Sequence, residues 1–219
     1  MNRRQLTDRL AAIGATLADQ GFDVRPLVVD EVASVSEVLA LESQLGFSLP
    51  EAFRSALLEI SRHVEFRWFA PKECEFPQPF RSNFCGDLHW SLDFTARFFR
   101  DANGWVDNVF SNTDDPYDVV WHNKAAFYEV GNGDYIALDL ADARLGRVVY
   151  LSHDDGQGHG HELAYDFRDL LDRWVPLACT GGEDWQWLPF TGNLTTRIEP
   201  AGEVGDEVAP TAWARSLIV

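Results

Sequence analysis

The stretch Val130-Gly-Asn-Gly-Asp-Tyr-Ile-Ala-Leu-Asp-Leu140, with Gly146-Arg-Val-Val-Tyr-Leu-Ser-His-Asp-Asp155 close behind it, decides the fold. Tyr135, Ala137 and Asp139 alternate with Ile136, Leu138 and Leu140, and an apolar run from Val148 to Leu151 follows. This pattern predicts two strands of an antiparallel sheet with one buried face. A glycine-flanked turn carrying Asp134 opens the unit, and a histidine and aspartate loop closes it. The unit is a scaffold and contains no evident catalyst.

On the N-terminal side the periodicity is helical. Leu6, Leu10, Ile13 and Leu17 share one helix face, and Gly21 suits the left-handed stop. Ser34 and Glu37 have capping-box spacing and start a second helix that ends at Gly46, with Val35, Val38, Leu41 and Leu45 as its buried stripe. Pro50-Glu51 starts a third, with Phe53, Leu57 and Ile60 inward. A strand is predicted from Val64 to Phe69, then turns from Pro71 to Pro79. An aromatic helical pattern runs from Leu92 to Phe110, with a break at Asn103-Gly104.

Further on, Tyr117–Trp121, Ala125–Val130 and Glu162–Ala164 read as strands, and Asp166 caps a closing helix that buries Phe167, Leu170, Leu171 and Trp174. The tail from Thr180 carries Trp185, Trp187, Phe190 and Trp213. It is expected to wrap the body, because tryptophans on a free tail would expose a large apolar surface. Asn193-Leu-Thr195 matches a glycosylation sequon, but with no secretory leader in sight it is read as chance.

With 219 residues, 46% of them hydrophobic, the chain can bury one sizeable core, so a single domain is expected. Eighteen basic side chains against 35 acidic ones leave a net charge of −17. Such a surface repels phosphate backbones and steers basic proteins toward it, so direct nucleic-acid binding is disfavoured. Residues 101–142 alone hold nine carboxylates and one lysine, Lys124. Cys74, Cys85 and Cys179 show neither disulfide nor zinc-knuckle spacing, and no run of about eighteen apolar residues occurs. A cytoplasmic protein with no membrane partner is the expectation.

Candidate chemistry is sparse. His153-Asp-Asp-Gly-Gln-Gly-His-Gly-His161 could place His153, His159, His161 and two aspartates around a metal, giving a metal-dependent hydrolase, or it could be a turn with self-capping aspartates. Its glycines miss the G-x-G-x-x-G pattern because His161 holds the last glycine position. Neither a G-x-S-x-G elbow nor a Walker lysine loop occurs, and the adjacent Ser152 and His153 point to opposite faces of a strand. Asp114-Asp115 and Asp154-Asp155 read as solvated turn residues more readily than as a glycosidase pair.

Four motifs in order carry a resemblance: Leu41-Glu42…Leu45-Gly46…Leu49-Pro50…Phe53…Leu57, the run from Val130 to Ala137, the run from Val148 to Asp154, and Ala164-Tyr165-Asp166-Phe167…Leu171. Together they resemble the SUKH superfamily, which groups fungal cell-wall synthesis regulators with bacterial immunity proteins. The resemblance implies an α+β fold in which N-terminal helices pack on a mainly antiparallel sheet, with a closing C-terminal helix. One domain, 1–219, then has a family-like core of about 34–175 and an extension, 176–219. The stretch from Pro71 to Asn112 is longer and more aromatic than the linker such a core calls for.

The resemblance further implies a non-enzymatic binder without a cofactor, an immunity protein that neutralises a toxin, with a cytoplasmic regulatory scaffold as the alternative. For the immunity reading the partner is a basic, nuclease-type toxin, and the charge pattern nominates Asp114, Asp115, Asp118, Trp121, Asp154 and Asp155 as the residues that meet it. Trp121, between an acidic run and His122-Asn123-Lys124, is placed either on that patch or in the core. The oligomeric state is open.

Overall fold

The computed structural model describes residues 1–81, 83–191 and 197–200 and positions 213 and 217; the Asn193 sequon and most of the far tail lie outside the described residues. Helix α1 (Arg3–Asp19) begins where the Asn2 side chain accepts the Gln5 N–H and the Gln5 side chain returns the bond, and it buries Leu6, Leu10 and Leu17. Helix α2 (Val35–Leu45) starts on the predicted Ser34 and Glu37 box and stops at Gly46, whose φ of 82° is left-handed. Val38, Leu41 and Leu45 face inward, but Val35 is 56% exposed, because it lies in the first turn beyond the edge of the core. Helix α3 (Glu51–Glu59) follows directly. Glu42 locks the corner by accepting the Leu49 N–H at 2.9 Å beside the Arg54 guanidinium at 3.4 Å.

Two four-stranded antiparallel sheets complete the α+β fold. In the first, β1 (Asp23–Val24) and β2 (Val28–Val29) both pair with one side of β3 (His63–Phe69), and β4 (Cys85–Ser91), which sequence reasoning missed, pairs with the other. In the second, β5 (Lys124–Glu129), β6 (Tyr135–Asp139), β7 (Val148–Leu151) and β8 (Glu162–Ala164) stand in chain order.

Helix α4 (Leu92–Asn108) runs through Asn103-Gly104 without the predicted break. Buried Phe98 and Ala102 hold it down, and Asn103 turns its amide back onto the Phe99 carbonyl at 2.9 Å. Residues 118–121, read as a strand, form a helical turn, α5 (Asp118–Trp121). The Asp115 carboxylate takes the Tyr117 and Asp118 N–H groups at 2.7 and 3.3 Å, and this local cap overrides the strand preference of the two valines.

A second correction concerns β6 and β7, expected to bury one face. Every residue in both strands is buried. Ile136, Leu138, Val148 and Tyr150 face the main core with Phe53, Phe127 and Phe167. Tyr135, Ala137, Val149 and Leu151 face a second one built from Phe98, Ala102, Phe110 and Trp121. The alternation was real, but both of its phases are largely apolar, so α4 and α5 cover the face that the period alone leaves to water.

Helix α6 (Phe167–Trp174) is capped by Asp166, which accepts the Asp169 N–H at 2.8 Å, and a short helix α7 (Asp184–Trp187) follows. Trp187, Phe190 and Trp213 are buried; Trp213 packs against Phe76, Phe80 and Phe190.

Candidate partner-binding face

Two loops meet beside the second sheet. One, residues 109–117, leads from α4 into α5; the other, 152–161, joins β7 to β8. Tyr117 connects them: its hydroxyl donates to the Ser152 carbonyl at 2.6 Å and accepts the Asp155 N–H at 3.1 Å, and its ring stacks on His159 at 3.7 Å. Burial pushes the Tyr117 phenol up from its ordinary value, so it stays protonated and keeps donating.

Five of the nominated residues lie in or next to these two loops. Asp154 and Asp155 are exposed, and Asp115 and Asp118 are half-buried; Asp114 is exposed beside Asp115. The Asp118 carboxylate accepts the Asn112 N–H at 3.0 Å, and Asp118 and Asp155 both act on the His159 ring through space. None of the five carboxylates takes part in an ion pair among the described residues. Trp121 is the correction: at 2% exposure it lies in the second core, stacked on Phe110 at 4.7 Å, where its apolar area is out of water. Its indole N–H is buried without a partner.

The linear count of charge overstates what is accessible. Asp139 is 2% exposed and sits 3.4 Å from both Lys124 and Arg144. Asp134 is 1% exposed and accepts four hydrogen bonds: Asn132 Nδ2 at 2.8 Å and the Tyr150 hydroxyl at 2.7 Å on one oxygen, His153 N at 2.8 Å and His153 Nδ1 at 2.6 Å on the other. Burial, with this carboxylate alongside, pushes the Tyr150 phenol far up. Asp134 therefore joins the turn before β6 to the loop after β7. Sequence reasoning saw Asp134 as a turn residue and missed this role; the only hint was an acid placed directly ahead of an apolar strand.

The histidine loop is built for structure. Ser152 N–H donates to His159 Nδ1 at 3.0 Å, so His159 Nε2 carries the proton that goes to the Tyr117 carbonyl at 3.0 Å, and neither nitrogen is left for a metal. Burial holds both His159 and His161 below the usual imidazole range. The loop glycines mark close packing: a Cβ on Gly158 would lie 2.5 Å from Asp184 and 2.6 Å from Trp187. Among the described residues, metal-type ligand atoms converge in one group, Asp134, His153 and Asp154, within 4.8 Å of one another.

A separate cleft of about 150 Å³ lies between the outer face of β3 and β4 and the start of α4. Its charges are paired internally: Arg67 with Glu65 and Asp87, His89 with Asp87, and Arg97 with Glu129.

Comparison with known proteins gives one family. The model of the SMI1 / KNR4 family (SUKH-1) matches residues 33–173, close to the span of the motifs above. No curated protein matches the chain. Among the described residues no helix is long and apolar enough to cross a membrane.

Proposed function

We propose, from the premise that this chain belongs to the SMI1 / KNR4 family (SUKH-1), that it is an immunity protein that binds a cationic toxin and covers its active site. Members of the family are generally non-enzymatic immunity or regulatory proteins. The observation that carries the reading is that Tyr117 ties together the two loops in or beside which Asp114, Asp115, Asp118, Asp154 and Asp155 lie, none of them with a cationic partner among the described residues.

Unpaired like charges at one corner repel one another, a cost that a basic partner relieves. Their summed field steers a cationic protein to that face and raises its association rate. The chain does no bond chemistry in this mechanism; it occludes.

The test is co-expression with the toxin encoded beside this chain, read by growth rescue and by co-elution of the pure proteins. Replacing the five aspartates by asparagine is expected to slow association roughly 10- to 100-fold at low salt, with a smaller change in dissociation. A pair that neither co-elutes nor rescues growth overturns the proposal. Binding without rescue assigns the chain to the regulatory scaffolds instead.

A further inference from the structure

The acidic corner contains an aromatic pair. Trp105, near the end of α4, is half-buried and lies 5.2 Å from the His153 ring, centre to centre. Asp101 precedes it by one helical turn on the same face. Across residues 101–121 and 148–161 the chain has seven aspartates and neither lysine nor arginine.

His153 is held in place by what lies behind it. Its Nδ1 and its backbone N both meet Asp134 Oδ1, and the other Asp134 oxygen is taken by Tyr150 and Asn132. With Nδ1 turned onto Asp134, Nε2 is the ring nitrogen left for another partner. Nε2 has no partner among the described residues. Next to it, Asp154 accepts the Ser152 hydroxyl on Oδ1 at 2.9 Å and has no partner on Oδ2.

An indole ring, an imidazole nitrogen without a partner among the described residues and a carboxylate therefore lie close together in a strongly negative setting. A planar cation with several N–H donors answers all three, stacking on the ring while donating in its plane to nitrogen and oxygen. An ammonium group meets the carboxylate and the ring but lacks the flat fork. We infer that Trp105, His153 and Asp154 form an anchor for one arginine side chain of the protein partner. This rests on the partner-binding reading above and names its central contact.

A divalent metal is the rival occupant, since Asp134, His153 and Asp154 lie close together. Both Asp134 oxygens already accept two hydrogen bonds each, which leaves two protein ligands, fewer than a structural or catalytic zinc site uses.

The experiment titrates the isotope-labelled full chain with N-acetylarginine amide and, separately, N-acetyllysine amide. It follows the Trp105 indole signal, assigned with Trp105→Phe, and the His153 ring signals. Saturable shifts of both are expected, with the arginine compound roughly two- to fivefold tighter, the contrast that stacking at an exposed site provides. Asp154→Asn, a surface change, should weaken the arginine compound several-fold and narrow that contrast.

Unmoved signals, or equal affinity for the two amides, overturn the anchor. Equimolar Zn²⁺ that shifts the His153 signals at micromolar concentration reassigns the site to a metal. Toxin co-elution is scored separately. If Asp154→Asn and Trp105→Phe leave co-elution and its dissociation rate intact, the anchor fails while the immunity reading stands; if the unaltered chain does not co-elute, that reading fails whatever the amides do.

Discussion

The phenolic oxygen of Tyr117 accepts the backbone N–H of Asp155 at 3.1 Å, so a residue from the loop after α4 fixes the conformation of an aspartate 38 positions further along. Asp155 has a left-handed φ of 63°, a conformation that costs an ordinary side chain energy and needs such support. Tyr117→Phe removes both the donor to Ser152 and this acceptor while keeping the ring on His159. A loss of about 1–2 kcal/mol is expected, with faster amide hydrogen exchange at residues 154–156 and little change in β6. Unchanged exchange in that loop would show that the hydroxyl does not hold it.

Asp134→Asn tests the junction between the two halves of the deciding stretch. Asparagine presents one acceptor oxygen where the carboxylate presents two, so donors from Tyr150 or His153 are left buried and unmatched. We expect destabilisation on the order of 3 kcal/mol, measured by urea unfolding. A loss under half a kcal/mol would mean the four contacts contribute little.

Acid should weaken the histidine loop. Burial lowers His159 and His161 from 6.5 in the folded state, so the unfolded chain takes up protons more readily. Their contribution is fully present above pH 6.5 and is lost as pH falls through 6.5 toward the depressed folded values. The unfolding midpoint should therefore drop between pH 7 and pH 5, and His159→Gln with His161→Gln should flatten the curve there. A midpoint that rises on acidification contradicts the assignment.

Gly158→Ala inserts a methyl group against Asp184 and Trp187 where no space exists. Overpacking of this kind costs about 1–3 kcal/mol, readable as a lower melting temperature. Gly104→Ala serves as the comparison, since its Cβ meets nothing within 4 Å inside α4 and helix propensity favours alanine.

The elements most legible in the sequence were those whose signal is local. The Ser34 and Glu37 box, the stop at Gly46 and the Asp166 cap were found at the residues that form them, because a cap is made by side chains three positions from their partners. Strand β4 was missed, since Cys85–Ser91 follows a turn-rich passage and is defined by pairing with β3, residue for residue from His63 opposite Ser91 to Phe69 opposite Cys85. The α5 turn was misread because Val119 and Val120 favour strands, and the overriding contact comes from Asp115 outside the element.

For the site, the aspartates could be named from charge alone, but their grouping could not. Trp121, named among the partner-facing residues for its acidic neighbours but left open between patch and core, is stacked in the second core. Trp105, in the aromatic helical pattern, packs on the second core and is half-buried beside His153. Exposure depends on which helix covers which sheet face, and that is a contact between distant segments.

By itself, then, the sequence determined the caps of α2 and α6, the stop at Gly46, the strands of the second sheet and the surplus of negative charge, all carried by spacing and composition within short windows, while its resemblance to a family implied the α+β class. The tertiary structure alone decided that both faces of β6 and β7 are buried, that Asp134 and Asp139 lie inside, and that Tyr117 brings two acidic loops to one corner. Those outcomes rest on hydrogen bonds and apolar contacts between residues tens of positions apart, which no local periodicity encodes.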